Sequence, residues 1–339
     1  MKKHLLPEQG TFYKANLHCH TTLSDGDQTP EEVKQFYRAH GYSVVAYTDH
    51  DIMIPHHDLT DEDFLALTGY EMELVEQFPV EKQPPQQFRK QCHMCLIALD
   101  PDKVEQVCYH RTKYIWGNAK NYRDQLRFDE SQPDYERKYS HECVSDMMKQ
   151  GRDNGFFVTY NHPNWSMETP AQFMNYEHMH AMELCNYTSN RAGYPDHHNS
   201  SEYDQMLRGG KRIFCVGADD NHDEETSCGA YTMIKADKLE YKAITDALMA
   251  GNFYTSRGPE IHALWVEDGK IHITCSDAVR ITMNTGIRYA KAKYAPEGGT
   301  LNGAEFEIDP DSIYVRLTVY DRSGMYAATN AYFIDELAL

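Results

Sequence analysis

The run Asn16-Leu17-His18-Cys19-His20, followed by Ser24-Asp25-Gly26, is the part of this chain best equipped for chemistry. Side chains alternate faces along a strand, so His18 and His20 share one mouth while Leu17 and Cys19 point into the packing behind them. A carboxylate follows at the Asp25 turn. More imidazoles and acids arrive at or near the ends of later apolar runs: His50 in Thr48-Asp49-His50-Asp51, Glu71 after Gly69-Tyr70, His93 at the head of a run, His162 in Asn161-His162-Pro163, and Asp220 and His222 in Gly217-Ala218-Asp219-Asp220-Asn221-His222. A lone H-x-H is more often a hydrogen-bonded pair than a ligand pair. Six histidines and three carboxylates gathered at one end of successive strands are hard to explain as nine separate core residues. The mixed set suits Zn, Mn or Fe, and the absence of a thiolate cluster argues against a structural four-cysteine zinc site.

Positioning them requires strands alternating with helices. Phe12 to Leu17 reads as a strand, and Thr29-Pro30-Glu31-Glu32 has the form of a helix start, with the helix stopped at Gly41. Tyr42 to Tyr47 is a second β run. Phe64 to Thr68, Met94 to Leu99, Phe156 to Tyr160, Met179 to Tyr187 (which carries Glu183) and Lys211 to Val216 continue the rhythm, with helices expected at His141 to Asn154, Ser200 to Leu207 and Leu239 to Ala250. This is the βα order of a parallel barrel, whose site lies where the strands end. Residues 100–140 break it and read as an insertion or lid with helical character. After Gly258-Pro259, short alternating stretches separated by Asp-Gly, Gly-Gly and Ser-Gly turns indicate a small antiparallel β-sandwich. The expected division is therefore 1–258 and 259–339.

Composition narrows the class. Thirty-three basic against fifty-two acidic residues leave a net charge of -19, which repels a nucleic-acid backbone, so extended nucleic acid is not an expected partner. No apolar run is long enough to cross a membrane, and Met1 to Pro7 lacks the apolar core of a signal peptide. Nine scattered cysteines fit reduced thiols, with Cys92 and Cys95 read as strand packing, and a cytoplasmic protein is expected.

Taken in order, H-x-H-T-x-x-S-D-G, T-D-H, G-x-E, a strand-leading His, N-H-P and D-x-H resemble the PHP (polymerase and histidinol phosphatase) family of metal-dependent phosphoesterases, over residues 12 to 258. The resemblance implies an α/β fold, a distorted (β/α)7 barrel, holding two or three divalent metal ions. It implies that His18, His20, Glu71 and Asp220 hold a first ion. Glu71 would bridge to a second with His93 and His162, and Asp25, His50 and His222 would hold a third. The last motif departs from the family pattern by an extra residue and a second acid, and its D-x-H spacing favours Asp220 over Asp219. Such a centre would act through a metal-bound hydroxide held by Glu71, Asp220 and His20, attacking a small phosphorylated metabolite or nucleotide. Guanidinium forks suit phosphate oxygens, which makes Arg191 and Arg257 the substrate-binding candidates. Two rivals stand beside this reading. One is an amidohydrolase-type C–N hydrolase, in which a lysine would usually bridge where Glu71 stands. The other is a non-catalytic binding module, against which the intact ligand set argues. The C-terminal β domain is compatible with capping the mouth or with oligomer formation.

Overall fold

Thr29 begins the first helix by a reciprocal cap: its hydroxyl accepts from the Glu32 amide at 3.2 Å, and the Glu32 carboxylate accepts from the Thr29 amide at 2.8 Å. The helix Pro30–Ala39 then buries Val33 and Tyr37 and is left through Gly41, whose φ of +77° a side chain would disfavour. The computed structural model describes residues 2–337.

Most strands belong to one mixed fourteen-stranded sheet. Thr11–Asn16, Val44–Tyr47 and Leu65–Val75 run parallel; Gln91–Ala98 then lies antiparallel to both Leu65–Val75 and Phe156–Tyr160, and Phe156–Tyr160, Ala181–Asn186 and Phe214–Ala218 run parallel again. The reversed Gln91–Ala98 strand explains why His93 leads its run where His18, His50, His162 and Asp220 follow theirs. On the other flank of Thr11–Asn16 come Tyr231–Ala236 and Phe253–Ser256, both antiparallel. The buried core behind the site includes Ala15, Leu17, Val44, Ala46, Leu67, Ile97, Phe157 and Val216.

The distorted (β/α)7 barrel that the resemblance implies is not confirmed by the pairing. Among the described residues no closed ladder forms, and the directions are mixed. The edge strand Phe214–Ala218 nevertheless curls back. Its continuation meets the first strand through Asp220 N to His18 O at 2.9 Å and His20 N to Asn221 O at 3.2 Å, and Thr232 Oγ1 bonds Gly217 from the neighbouring strand. These few bonds gather residues 16–20 and 219–222 at one mouth. The segment 101–138 also differs from expectation: it holds turns and one 3-10 helix, Gly117–Gln125, with no α-helix among the described residues. Without an apolar stripe at helical spacing, its backbone has no face to dock.

In the C-terminal part a four-stranded sheet, Lys3–His4, Ile261–Glu267, Lys270–Ala278 and Leu301–Glu307, contributes Leu264, Val266, Ile271 and Ile273 to a core shared with Ile281, Leu317 and Val319 of the large sheet. This is a two-layer β packing. The ladder is continuous across residue 258, because Phe253–Ser256 pairs with both Tyr231–Ala236 and Tyr326–Thr329. No described helix is long and apolar enough to cross a membrane.

Candidate metal centre

Glu71 stands in the middle of the cluster. Its Oε1 lies 3.1 Å from His18 Nε2, 3.2 Å from His93 Nδ1 and 3.5 Å from His162 Nε2, and its Oε2 lies 3.1 Å from His50 Nδ1 and 3.5 Å from His20 Nε2. Asp220 Oδ1 is 3.1 Å from His18 Nε2 and 3.0 Å from His20 Nε2. Asp25 Oδ2 lies 3.5 Å from His222 Nε2 and 3.7 Å from His50 Nε2. The structure therefore brings all nine sequence-derived candidates together. Their donor atoms fall into sets lying within 4.8 Å of one another: His20, Asp25, His50 and His222; His18, His162 and Asp220; Glu71, His93 and His162. Cys95 joins a further set with His18 and Glu71, and His20 sits with the Asp25 group as well as beside His18.

The donor set fits divalent cations on its own terms. His20 Nδ1, His50 Nδ1 and His93 Nδ1 are buried without a hydrogen-bond partner, although two of them approach Glu71 closely. His18 Nε2 and His20 Nε2 face each other at 3.1 Å. A buried polar atom left unpaired costs about 1–3 kcal/mol, and a cation between such lone pairs satisfies several at once.

Proton affinities within the cluster are displaced in both directions. Burial opposes ionisation of Glu71 and Asp220, yet the surrounding imidazoles hold both carboxyls well below the usual range. Burial, with His20 beside it, pushes His50 down to about 3. Burial also opposes charge on His162, but the hydrogen bond with Glu71 and the field of Asp220 raise it to about 9. Protons and cations compete for these sites, so metal uptake releases protons.

Residues that are not themselves candidate ligands hold the candidates in place. Glu183 pairs with His18 Nδ1 at 2.7 Å, which turns Nε2 towards the cluster, and it accepts from the His162 amide at 2.9 Å. Asn161 Nδ2 donates to Glu71 Oε1 at 2.7 Å. Asp219 faces away, accepting from the Tyr37 hydroxyl and the amides of Cys228, Gly229 and Ala230. Asp220 reaches the cluster with a left-handed φ of +55°. The lone carboxylate Glu183 on the Ala181–Asn186 strand was the available sequence signal, but its partners lie far away in the chain.

A cavity of 360 Å³ opens over the cluster. None of the described residues lining it is arginine or lysine. The two substrate-binding arginines expected from the sequence are thus not in its wall. Arg191, in the last turn of the Tyr187–Arg191 helix, forms an exposed ion pair with Glu225 at 3.0 Å. Arg257 donates to Asn190 Oδ1 at 3.1 Å and lies over the Tyr187 ring. Neighbouring groups outside the cavity already engage both. The wall instead includes Trp116, Trp165, Glu73 and Thr188.

No family model and no curated protein matches the chain. Solved structures similar to it include a two-domain protein from Bacteroides vulgatus described as containing a predicted PHP-like metal-dependent phosphoesterase. The match has 12% identity and a TM-score of 0.43, over 97% of this chain and 90% of that one. A protein from Bifidobacterium adolescentis assigned as a metal-dependent phosphoesterase matches at 15% identity and a TM-score of 0.34, covering 64% of this chain and 89% of that one. An amidohydrolase from Chromobacterium violaceum, solved with sulfate, matches at 13% identity and a TM-score of 0.34, covering 62% and 87%. Likenesses this distant leave the functional reading to the side chains.

Proposed function

We propose that this chain is a PHP-type phosphoester hydrolase working with two or three divalent metal ions. The observation that carries the reading is the position of Glu71, one carboxylate within 3.5 Å of nitrogens from five different imidazoles. A bridging ligand needs that arrangement, and a structural salt bridge does not. In this reading His18, His20, Glu71 and Asp220 hold a first ion, Glu71, His93 and His162 a second, and Asp25, His50 and His222 a third. When bound, divalent ions would supply Lewis acidity, lowering the pKa of water towards neutrality and offsetting charge on phosphoryl oxygens.

The chain's own contribution is orientation. Glu183 fixes the face His18 presents, and Asn161 fixes the Glu71 carboxylate. We assign residues 1–258 to the catalytic domain, with 100–140 as an insertion over its mouth, and 259–339 to a β domain. The C–N hydrolase alternative gains nothing from the site, since no described lysine lines the cavity.

The test is metal analysis of the purified chain beside hydrolysis of phosphomonoesters, phosphodiesters and amides. Metal-dependent phosphate turnover that disappears in folded Glu71→Ala and His20→Ala is the expected result. Turnover of amides without phosphates would overturn the proposal.

A further inference from the structure

Two of the chain's three tryptophans line the cavity above the cluster, and the hydrolytic chemistry assigns neither a role. The third, Trp265, lies in the C-terminal sheet against His272. Trp116 leaves 38% of its surface exposed, yet its ring is fixed: Nε1 donates to Glu73 Oε1 at 3.1 Å, and the ring centroid lies 5.1 Å from that of His50. Trp165 lies against two other imidazoles, 5.2 Å from His93 and 5.0 Å from His162. Its backbone is pinned by Asp196, which is fully buried and accepts from the amides of Asn164 at 3.1 Å and Trp165 at 2.8 Å. The same loop ends at Glu168, a buried carboxylate that accepts from the hydroxyls of Tyr139, Tyr160 and Tyr176. The Trp116 ring and the Trp165 backbone are therefore held in advance of any ligand, so a ring stacking there would cost little ordering of the wall.

The rest of the wall says what such a ligand can carry. A phosphate would find its counter-charge in the metal centre. Beyond it the described lining offers Gln86, Gln91, Thr188 and Ser189, with Glu73 as a carboxylate that no lining arginine or lysine offsets. A second phosphate would meet that carboxylate without a cation. A neutral ring bearing hydrogen-bond donors would not be repelled. At 360 Å³ the cavity is near the small end of the range for small-molecule sites, about 300–1,000 Å³.

We infer that the substrate is a phosphate monoester carrying one flat, uncharged aromatic group, which stacks against Trp116 and Trp165. The shared chemistry of nucleobase and simple aryl esters is what the wall recognises, and the inference rests on the phosphoester reading above. Both indoles are specificity-determining residues that touch the part of the substrate away from the reacting phosphorus.

The experiment uses the full chain reconstituted with Mn. Tryptophan emission is titrated with adenosine, which has no phosphate, and with ribose 5-phosphate, which has no ring. kcat/KM is then measured on adenosine monophosphate, phenyl phosphate, ribose 5-phosphate and ATP. Adenosine should quench the emission and ribose 5-phosphate should not. Wild type should prefer the two aromatic monophosphates over ribose 5-phosphate and ATP. Trp116→Ala and Trp165→Ala should each lower the ratio of aromatic to ribose 5-phosphate turnover about tenfold, through KM. Trp116→Phe keeps a ring and should keep most of that ratio, which separates lost stacking from lost folding. Comparison of adenosine monophosphate with phenyl phosphate tells a nucleobase from a simple aryl group. Turnover of all phosphates alike with no quenching overturns the aromatic site and spares the hydrolase reading. Quenching by adenosine with no phosphate turned over does the reverse.

Discussion

Replacing Arg137 by methionine is expected to destabilise the protein by about 4 kcal/mol, far more than removing the same ion pair from both sides. The guanidinium comes from the insertion and reaches Asp51, next to His50, with Nη2 2.5 Å from Oδ1; the two side chains are only 4% and 2% exposed. Nη1 also donates to the Glu73 carbonyl at 2.9 Å. Burial raises the Asp51 carboxyl to about 6 even with Arg137 beside it, so the pair does not recover the cost of leaving water. Removing only the arginine strands a buried carboxylate and a carbonyl, the situation that costs about 3–5 kcal/mol. Asp51→Asn with Arg137→Met leaves no charge to strand and should cost about 1–2 kcal/mol, well below the sum of the two single effects. At about 2.1 cal/mol/K per residue over 339 residues, 4 kcal/mol lowers Tm by about 6 °C. The assay is urea unfolding of the wild type, both single variants and the double variant, followed by near-UV circular dichroism. Additivity of the single effects within about 0.5 kcal/mol would refute the reasoning.

Three further outcomes are expected. Glu183→Gln should weaken Zn or Mn binding about 10- to 100-fold in calorimetric titration, because His18 loses the charged partner that orients its ring. Gly26→Ala would place a methyl 2.7 Å from the His20 carbonyl oxygen and 2.9 Å from the Thr21 nitrogen, so the Asp25 turn must move; metal content by elemental analysis should fall while the distant C-terminal core stays folded. His180 is held neutral, burial and Arg152 pushing it down to about 4, and its Nδ1 accepts from the Val158 amide at 3.0 Å. The unfolded chain takes up that proton near a pKa of about 6.5, so stability should fall by about 3 kcal/mol as pH drops from about 6.5 to 4. His180→Asn keeps an acceptor and should flatten that slope in urea titrations across the same range.

Much of the candidate set was legible because it rests on local rules. Alternation along an extended segment puts His18 and His20 on one side and buries Leu17 and Cys19, which the packing repeats. The capping residues at Thr29 announce the first helix at the residue where it starts. The ladder itself stops at Asn16, however, and the two histidines are carried beyond it by the isolated bridge between Cys19 and Asn221. No neighbouring residue specifies that bridge.

What the sequence by itself determined is which side chains can ligate and which way each faces within its own segment, since spacing and caps act over a few residues. Only the tertiary structure decided that Gln91–Ala98 runs backwards, that the sheet curls without closing, and that Arg191 turns out to Glu225 while Trp116 turns in over His50. Glu183 and Arg137 belong to the same class, because each acquires its role from a partner 165 or 86 residues away. Strand direction, closure and such pairings are settled by which distant surfaces bury each other best, and no local pattern carries that information.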